Sequence, residues 1–325
     1  MIRSVAASPI PFPWTRDCRQ HARGHRGAAQ AGIGGRIVAC CLLAAVGVLT
    51  ACRPAAGQTP SAILPEYDLS SGAGIQLGLS WSLREVSGLA TDQRGRLFAH
   101  DDERAILHQL DPSTGRSIKT FAVGVLGVPG DFEGLAIAGD RFFLLTSSGR
   151  LVEFREGGAG RTVGYDTHNL GLERRCEVEG LAYDHETRAL LIPCKTTRQD
   201  ELDEHLVVFS VPLETLTPED EPRVFIPLEV LDDNGLGKNF HPSAIEVHPE
   251  TRSLLILAAR EEAGAEVSQD GELLGTFEMK RRDHPQPEGV AFLPDGSLVL
   301  ADEGQNHRGT ITVYPKRDPE QGDAQ

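Results

Sequence analysis

Aromatic residues make up only 6% of this 325-residue sequence, and no segment keeps a 3.6-residue apolar period. With 35 Gly and 20 Pro, that composition points to many turns rather than long helices. Catalytic and metal signatures are also missing. There is no H-E-x-x-H and no C-x-x-C, so a zinc protease or zinc knuckle has no support. Ser147-Ser148-Gly149 is not the G-x-S-x-G of a nucleophile elbow. Gly235-Leu-Gly-Lys238 has Asp232 where a phosphate-binding loop needs its first glycine. Asp232-Asp-Asn-Gly235 lacks the spacing and closing Glu of an EF-hand. Basic charge is scarce after the first 51 residues, which hold six Arg, no Lys and one acid. The remainder carries 26 basic and 46 acidic residues, a net charge of −20. Such a surface repels phosphate backbones, so nucleic acid is excluded as a partner.

What is present is globular: 40% hydrophobic and 24% charged residues, enough apolar material for a sizeable core. Ile37–Ala51 is an uncharged run of 15 residues directly after Arg36. A membrane span needs ~20, so this run fits the core of a signal peptide. Leu49-Thr50-Ala51-Cys52, at the end of the run, resembles a lipobox, an aliphatic and two small residues before the cysteine that is lipidated. Residues 1–51 are thus expected to be a lipoprotein signal peptide, with Cys52 acylated and 52–61 a flexible tether. The protein would be exported and face the periplasm, held to the membrane by its lipid. Arg53, where Asp would retain it, leans towards the outer membrane. Export leaves Cys176 and Cys194 where disulfides persist.

Five segments then repeat one pattern. They are Glu85-Val-Ser-Gly-Leu-Ala90, Asp131-Phe-Glu-Gly-Leu-Ala136, Glu177-Val-Glu-Gly-Leu-Ala182, His241-Pro-Ser-Ala-Ile-Glu246 and Gln286-Pro-Glu-Gly-Val-Ala291. The fourth positions fall at 88, 134, 180, 244 and 289, giving intervals of 46, 46, 64 and 45. Acidic insertions around 198–204 and 214–222 lengthen the third. After each entry comes a turn, a second apolar run and, in most repeats, two more. Four short strands every ~45 residues is the grammar of a propeller blade. The expected fold is an all-β, five-bladed β-propeller of four-stranded blades over residues 62–316, with a charged tail at 317–325. The last repeat has only three strands. The N-terminal strand of the mature chain, placed at Ala62–Leu69, is expected to close it and leave no raw edge.

The set EVSGLA, AHDDE, DFEGLA, CEVEGLAYD, PCK, QPEGVAF and ADEGQN resembles the SdiA-regulated, YjiK-like family of bacterial envelope proteins, which includes calcium-regulated β-propellers. The resemblance spans about residues 62–316. It implies a five-bladed propeller, an envelope location and a calcium site, but no reaction. The fourth repeat departs from it, with His241-Pro-Ser where the others carry acids.

The repeat geometry brings the start of each first strand and the end of each second strand to one face. Glu133, Glu179 and Glu288 occupy one repeat position there. Glu85, Asp131 and Glu177 stand two positions before the equivalent residue of their repeats, and Asp102 and Glu303 come from second-strand ends. Lys195 and Arg260 are the basic residues expected among them. Carboxylates ~4 Å apart repel by about 4 kcal/mol at an effective dielectric near 20, so such a ring must protonate, pair or bind a metal. Oxygen ligands without thiolate favour Ca²⁺, with Mg²⁺ second. These eight acids are the expected metal ligands. His100 and His241 fall on the same face, each more readily a structural hydrogen-bonder than a ligand.

Pairing Tyr183 with Thr187 across the Asp184–Glu186 turn sets Cys176 opposite Cys194, and a disulfide is expected between them. Two functions compete. The first is a non-enzymatic, lipid-anchored calcium-binding propeller serving calcium homeostasis or signalling, with an envelope protein or small ligand at its acidic face. The second is a metal-dependent hydrolase of phosphoesters or lactones, for which His100, His241, Asp102 and Lys195 are the only local acid–base candidates.

Overall fold

The computed structural model describes residues 62–317. The signal segment, Cys52 and the tether lie outside the described residues, as does the tail beyond Arg317. Five antiparallel sheets follow one another along the chain. Blade one is Val86–Thr91, Leu97–Asp101, Ile106–Leu110 and Ser117–Val123, with the short strand Thr162–Val163 added in parallel at its outer edge. Blade two is Phe132–Ala138, Arg141–Thr146, Arg150–Arg155 and Tyr165–Asn169. Blade three has a first strand in two pieces, Cys176–Val178 and Ala182–Asp184, then Ala189–Thr197, His205–Pro212 and Val224–Pro227. Blade four is Ala244–Val247, Leu254–Ala258, Ala263–Val267 and Leu273–Glu278. Blade five is Pro287–Phe292, Leu298–Asp302 and Thr310–Tyr314, with Ile75–Gly78 outermost. The first strands of neighbouring blades pack against one another around a closed ring, blade five meeting blade one. This is a five-bladed β-propeller. Among the described residues the only α-helix is Leu228–Asp233, in the long connection from blade three to blade four.

The core is divided into five apolar clusters, one between each pair of adjacent blades. Strands buried on both faces explain why the second strands read as near-continuous apolar runs, such as Leu254–Ala258, rather than as strict alternations. The scarce rings are concentrated. Phe98, Phe121, Phe142 and Phe154 meet between blades one and two, with Phe98 and Phe142 edge-to-face at 5.2 Å.

Glycines at the repeat mark allow the inner strands to approach. A Cβ on Gly134 would lie 2.6 Å from the Leu181 nitrogen, and one on Gly289 would lie 3.2 Å from the Leu89 nitrogen. Both neighbours are backbone of the next blade. The E-G-L/V-A core is therefore the requirement of a narrow axis.

Two expectations are corrected. The strand that closes blade five is Ile75–Gly78, paired to Thr310–Val313, and not Ala62–Leu69. The earlier segment forms a 3₁₀ turn at Leu64–Glu66. Its apolar residues Ile63 and Tyr67 are four apart, a turn spacing rather than a strand alternation, and both are buried between blades four and five. The buried Glu266 carboxylate accepts the Ile63 N–H at 2.9 Å and the Leu64 N–H at 3.1 Å, and the Tyr67 hydroxyl donates to the Gly296 carbonyl at 2.8 Å. The second correction is the hairpin register in blade three. Tyr183 pairs with Leu190 rather than Thr187. Asp184 accepts the Glu186 N–H and the Thr187 hydroxyl, and this spreads the turn over four residues before Ala189. Cys194 therefore faces Val178. The Cys176–Cys194 disulfide is nonetheless present, with a Cα–Cα distance of 5.6 Å, and runs diagonally across the hairpin.

Candidate metal centre at the acidic mouth

The column read from the repeat is a column of backbone irregularities. The ladder of the first hairpin slips between Val86 and Gly88, between Phe132 and Gly134, and between Pro287 and Gly289. In blade three the first strand breaks altogether between Val178 and Ala182, with Gly180 at φ +95°. The residue left out of each ladder is Ser87, Glu133, Glu288 or Glu179. A bulge re-aims its side chain, and here it turns these residues from the sheet towards the axis. Ser87, Glu133 and Glu288 line a void there of only about 10 Å³.

Burial and mutual repulsion dominate the electrostatics. Desolvation first, then the negative charge of Asp131, pushes Glu133 up to about 8. Burial pushes Glu288 up to about 8, with Glu179 adding to the shift against the Gln286 hydrogen bond. Glu179, 4% exposed, is pushed to about 7 by burial and by Glu133. It is held from rising further by Lys195, whose ammonium pairs with it. Lys195 is itself raised: burial works against its charge, but Glu179, Glu133 and Glu177 prevail.

Beside this column lies a tighter group. One carboxylate oxygen from each of Glu85, Asp101 and Asp102 lies within 4.8 Å of the others. Asp102 is pushed up to about 7 by burial, then by Asp101 and Glu85. Its Oδ1 is buried without a hydrogen-bond partner. Glu85 also meets Arg84 at 2.6 Å. Glu303 is raised by burial and by Glu85, and the Gln286 amide donates to both Glu303 and Glu288, the latter at 2.6 Å. Asp131 accepts the Ser147 hydroxyl at 2.5 Å, and Glu177 sits partly buried in the first strand of blade three opposite Thr196. Sequence reasoning did not single out Asp101 as a ligand or Gln286 as the amide joining two carboxyls. The run Asp101-Asp-Glu103 at a second-strand end was the available signal for the first.

Blade four adds no carboxylate to the column. Ser243 donates to the Pro287 carbonyl at 2.7 Å and accepts the Ala259 N–H, tying blade four to blade five. His241 is held by Glu261 at 2.7 Å. His100 is wholly buried beneath Gly88, and burial pushes it down to about 4. The fit to a hard divalent cation is good. The donors are all oxygens, the Asp102 oxygen lacks any partner, and the carboxyls outnumber the two cations that pair with them, Lys195 on Glu179 and Arg84 on Glu85.

No protein-family model matches the sequence, and no curated protein matches it. Among solved structures it is similar to a luciferin-regenerating enzyme, at 11% identity and TM-score 0.48 over 74% of this chain and 95% of that one. It is also similar to the glutaminyl cyclase of Myxococcus xanthus, at 14% identity and TM-score 0.49 over 75% and 96%. Likeness at this level carries no activity across.

Proposed function

We propose that this propeller binds a divalent cation, calcium before magnesium, at the acidic mouth, and acts as a lipid-anchored binding protein of the bacterial envelope rather than an enzyme. The observation that carries the reading is the buried, unpartnered Asp102 Oδ1 within the Glu85–Asp101–Asp102 cluster. A buried carboxylate oxygen with no donor is costly, and a bound cation removes that cost. Glu133, Glu179, Glu288 and Glu303 would enlarge the shell towards the 6–8 oxygens calcium takes, with Asp131 and Glu177 outside them. The motif resemblance to the SdiA-regulated family supports calcium and the envelope, and the lipobox at Cys52 supports a membrane anchor.

The test is calorimetric titration of chelator-treated protein with Ca²⁺ and Mg²⁺, read together with melting temperature. Binding to the folded state alone must raise the melting temperature with free Ca²⁺. No calcium-dependent stabilisation, or a Glu85→Gln/Asp102→Asn variant that binds as the wild type does, sinks the proposal. A metal-dependent hydrolase is the second reading, favoured only by Asp102, a carboxyl of the cluster itself that burial pushes up to about 7. Lys195, His241 and His100 are committed to Glu179, Glu261 and the protein interior. A phosphoesterase and lactonase screen of the metal-loaded protein separates the two readings.

A further inference from the structure

At the mouth opposite the acidic one, the far ends of the first strands surround a cavity of about 380 Å³. Its wall is largely apolar, built from Leu135, Ile137, Val247, Phe292 and Leu293, with Tyr183 and His185 among the polar groups. Its volume lies within the ~300–1,000 Å³ typical of small-molecule sites. One lining residue breaks the repeat. The sixth position of the entry segment is alanine in four blades, Ala90, Ala136, Ala182 and Ala291, and in blade four it is Glu246. Two of those alanines line the same cavity.

The Glu246 carboxyl has a single hydrogen bond among the described residues, from the Val247 N–H to Oε1 at 2.8 Å. No Lys or Arg lines the cavity. The other lining carboxylate, Asp92, is already committed. It pairs with the Arg96 guanidinium at 2.5 Å and accepts the Arg94 and Arg96 N–H groups. Burial pushes Glu246 up to about 8 against the Val247 hydrogen bond, and a cation bound beside it would favour its charged form.

We propose that this cavity is a second ligand site, binding a small apolar molecule that carries one protonated amine, with Glu246 as its counter-ion. The apolar wall takes the body of the ligand, and the one uncommitted carboxyl fixes its orientation and charge. This site is separate from the acidic mouth. The axis between them narrows to the void of about 10 Å³, bounded by Gly134, Gly180 and Gly289.

The test uses phenethylamine as the probe, with 2-phenylethanol and phenylacetate as neutral and anionic comparators, on the folded domain in chelator. Saturation-transfer NMR and calorimetry should show the amine binding at least 10-fold more tightly than the alcohol, and phenylacetate more weakly still. Glu246→Gln keeps the side chain's size and should remove that preference while 2-phenylethanol binding is retained. Glu246→Asp, which withdraws the carboxyl, should weaken the amine by an intermediate factor. Because the acidic mouth also attracts ammonium groups, Glu179→Gln is the control and should leave the affinity within twofold. Equal binding of amine and alcohol by the wild type overturns the proposal. So does unchanged amine binding by Glu246→Gln, or its loss in Glu179→Gln.

Discussion

The Lys195 ammonium lies against the Glu179 carboxylate at the acidic mouth, where the proposed cation would bind. Glu179 comes from the interrupted first strand of blade three and Lys195 from the end of the second strand, so one hairpin supplies both charges. The pair gives the mouth an internal counter-ion, and a divalent ion must compete with it. Lys195→Met, which keeps the aliphatic stem and removes the charge, should therefore tighten Ca²⁺ binding by roughly tenfold, or about 1.4 kcal/mol. It should also lower the melting temperature in chelator, because Glu179 loses its partner. Weaker calcium binding by this variant would mean that Lys195 supports the ion rather than competes with it.

The raised carboxyls set a pH dependence whose sign is determined. Glu133 and Glu288, and Glu246 at the opposite mouth, are pushed up to about 8, and Glu179 and Asp102 to about 7, all above their unfolded values. The folded protein thus holds protons that the unfolded chain releases, and stability falls as pH rises through 7 and 8. His100 and His108, pushed down to about 4 by burial, act in the opposite direction, but only below their ordinary 6.5. Between pH 6.5 and 8.5 in chelator the melting temperature should therefore fall, and saturating Ca²⁺ should flatten the curve. The Glu133→Gln/Glu288→Gln double variant should show a shallower fall. A melting temperature that rises over this window would refute the account.

The propeller was legible because its strongest signals are local and repeated. Gly88, Gly134, Gly180 and Gly289 stand where inner strands nearly touch, and an apolar second strand begins seven to nine residues after each. The closing strand was less legible. Ile75–Gly78 is mostly exposed and short, whereas Ile63 and Tyr67 are apolar for a different reason, filling the seam between blades four and five. At the site, the repeat placed Glu133 and Glu288 at the axis, but a two-residue period does not announce a bulge. The orphaned Asp102 oxygen and the Gln286 bridge to Glu288 and Glu303 depend on side-chain rotamers, which a repeat pattern does not specify. Glu246 was visible as a departure from alanine, but its cavity is made by five different blades.

The diagonal disulfide ties the two ends of a hairpin whose first strand is broken at Glu179–Leu181. Both cysteines are buried in the seam between blades two and three. Protein exported to an oxidising compartment should show no titratable thiol among Cys176 and Cys194 after denaturation. The Cys176→Ser/Cys194→Ser variant should lose about 3 kcal/mol in denaturant unfolding, by the chain-entropy argument for a loop of this length. It should also bind calcium more weakly, because Glu179 and Lys195 would no longer be held by a closed hairpin. Two free thiols in the exported protein would refute the bridge.

Membrane attachment tests a part of the chain outside the described residues. If Cys52 carries the lipid, mass spectrometry of the mature protein should find a diacylglyceryl N-terminus there. Cys52→Ser should move the protein to the soluble periplasmic fraction without altering calcium binding by the propeller. Unchanged membrane fractionation of that variant would sink the lipoprotein reading and leave the metal site untouched.

Gly134 gives the sharpest test of how the fold serves the site. It follows the bulged Glu133, and a methyl group in its place would meet the Gly180 carbonyl carbon at 2.7 Å and the Leu181 nitrogen at 2.6 Å. Neither is the yielding end of a side chain. Gly134→Ala must push blade two from blade three at the axis, and overpacking of this kind costs about 1–3 kcal/mol. Because the displacement falls between Glu133 and Glu179, the variant should also lose calcium affinity. Gly78→Ala is the matched control. It lies in the closing strand of blade five, where an added Cβ meets nothing within 4 Å, and should leave both stability and binding near wild type. Equal behaviour of the two variants would show that the close approach of the inner strands at the axis is not a constraint on the protein.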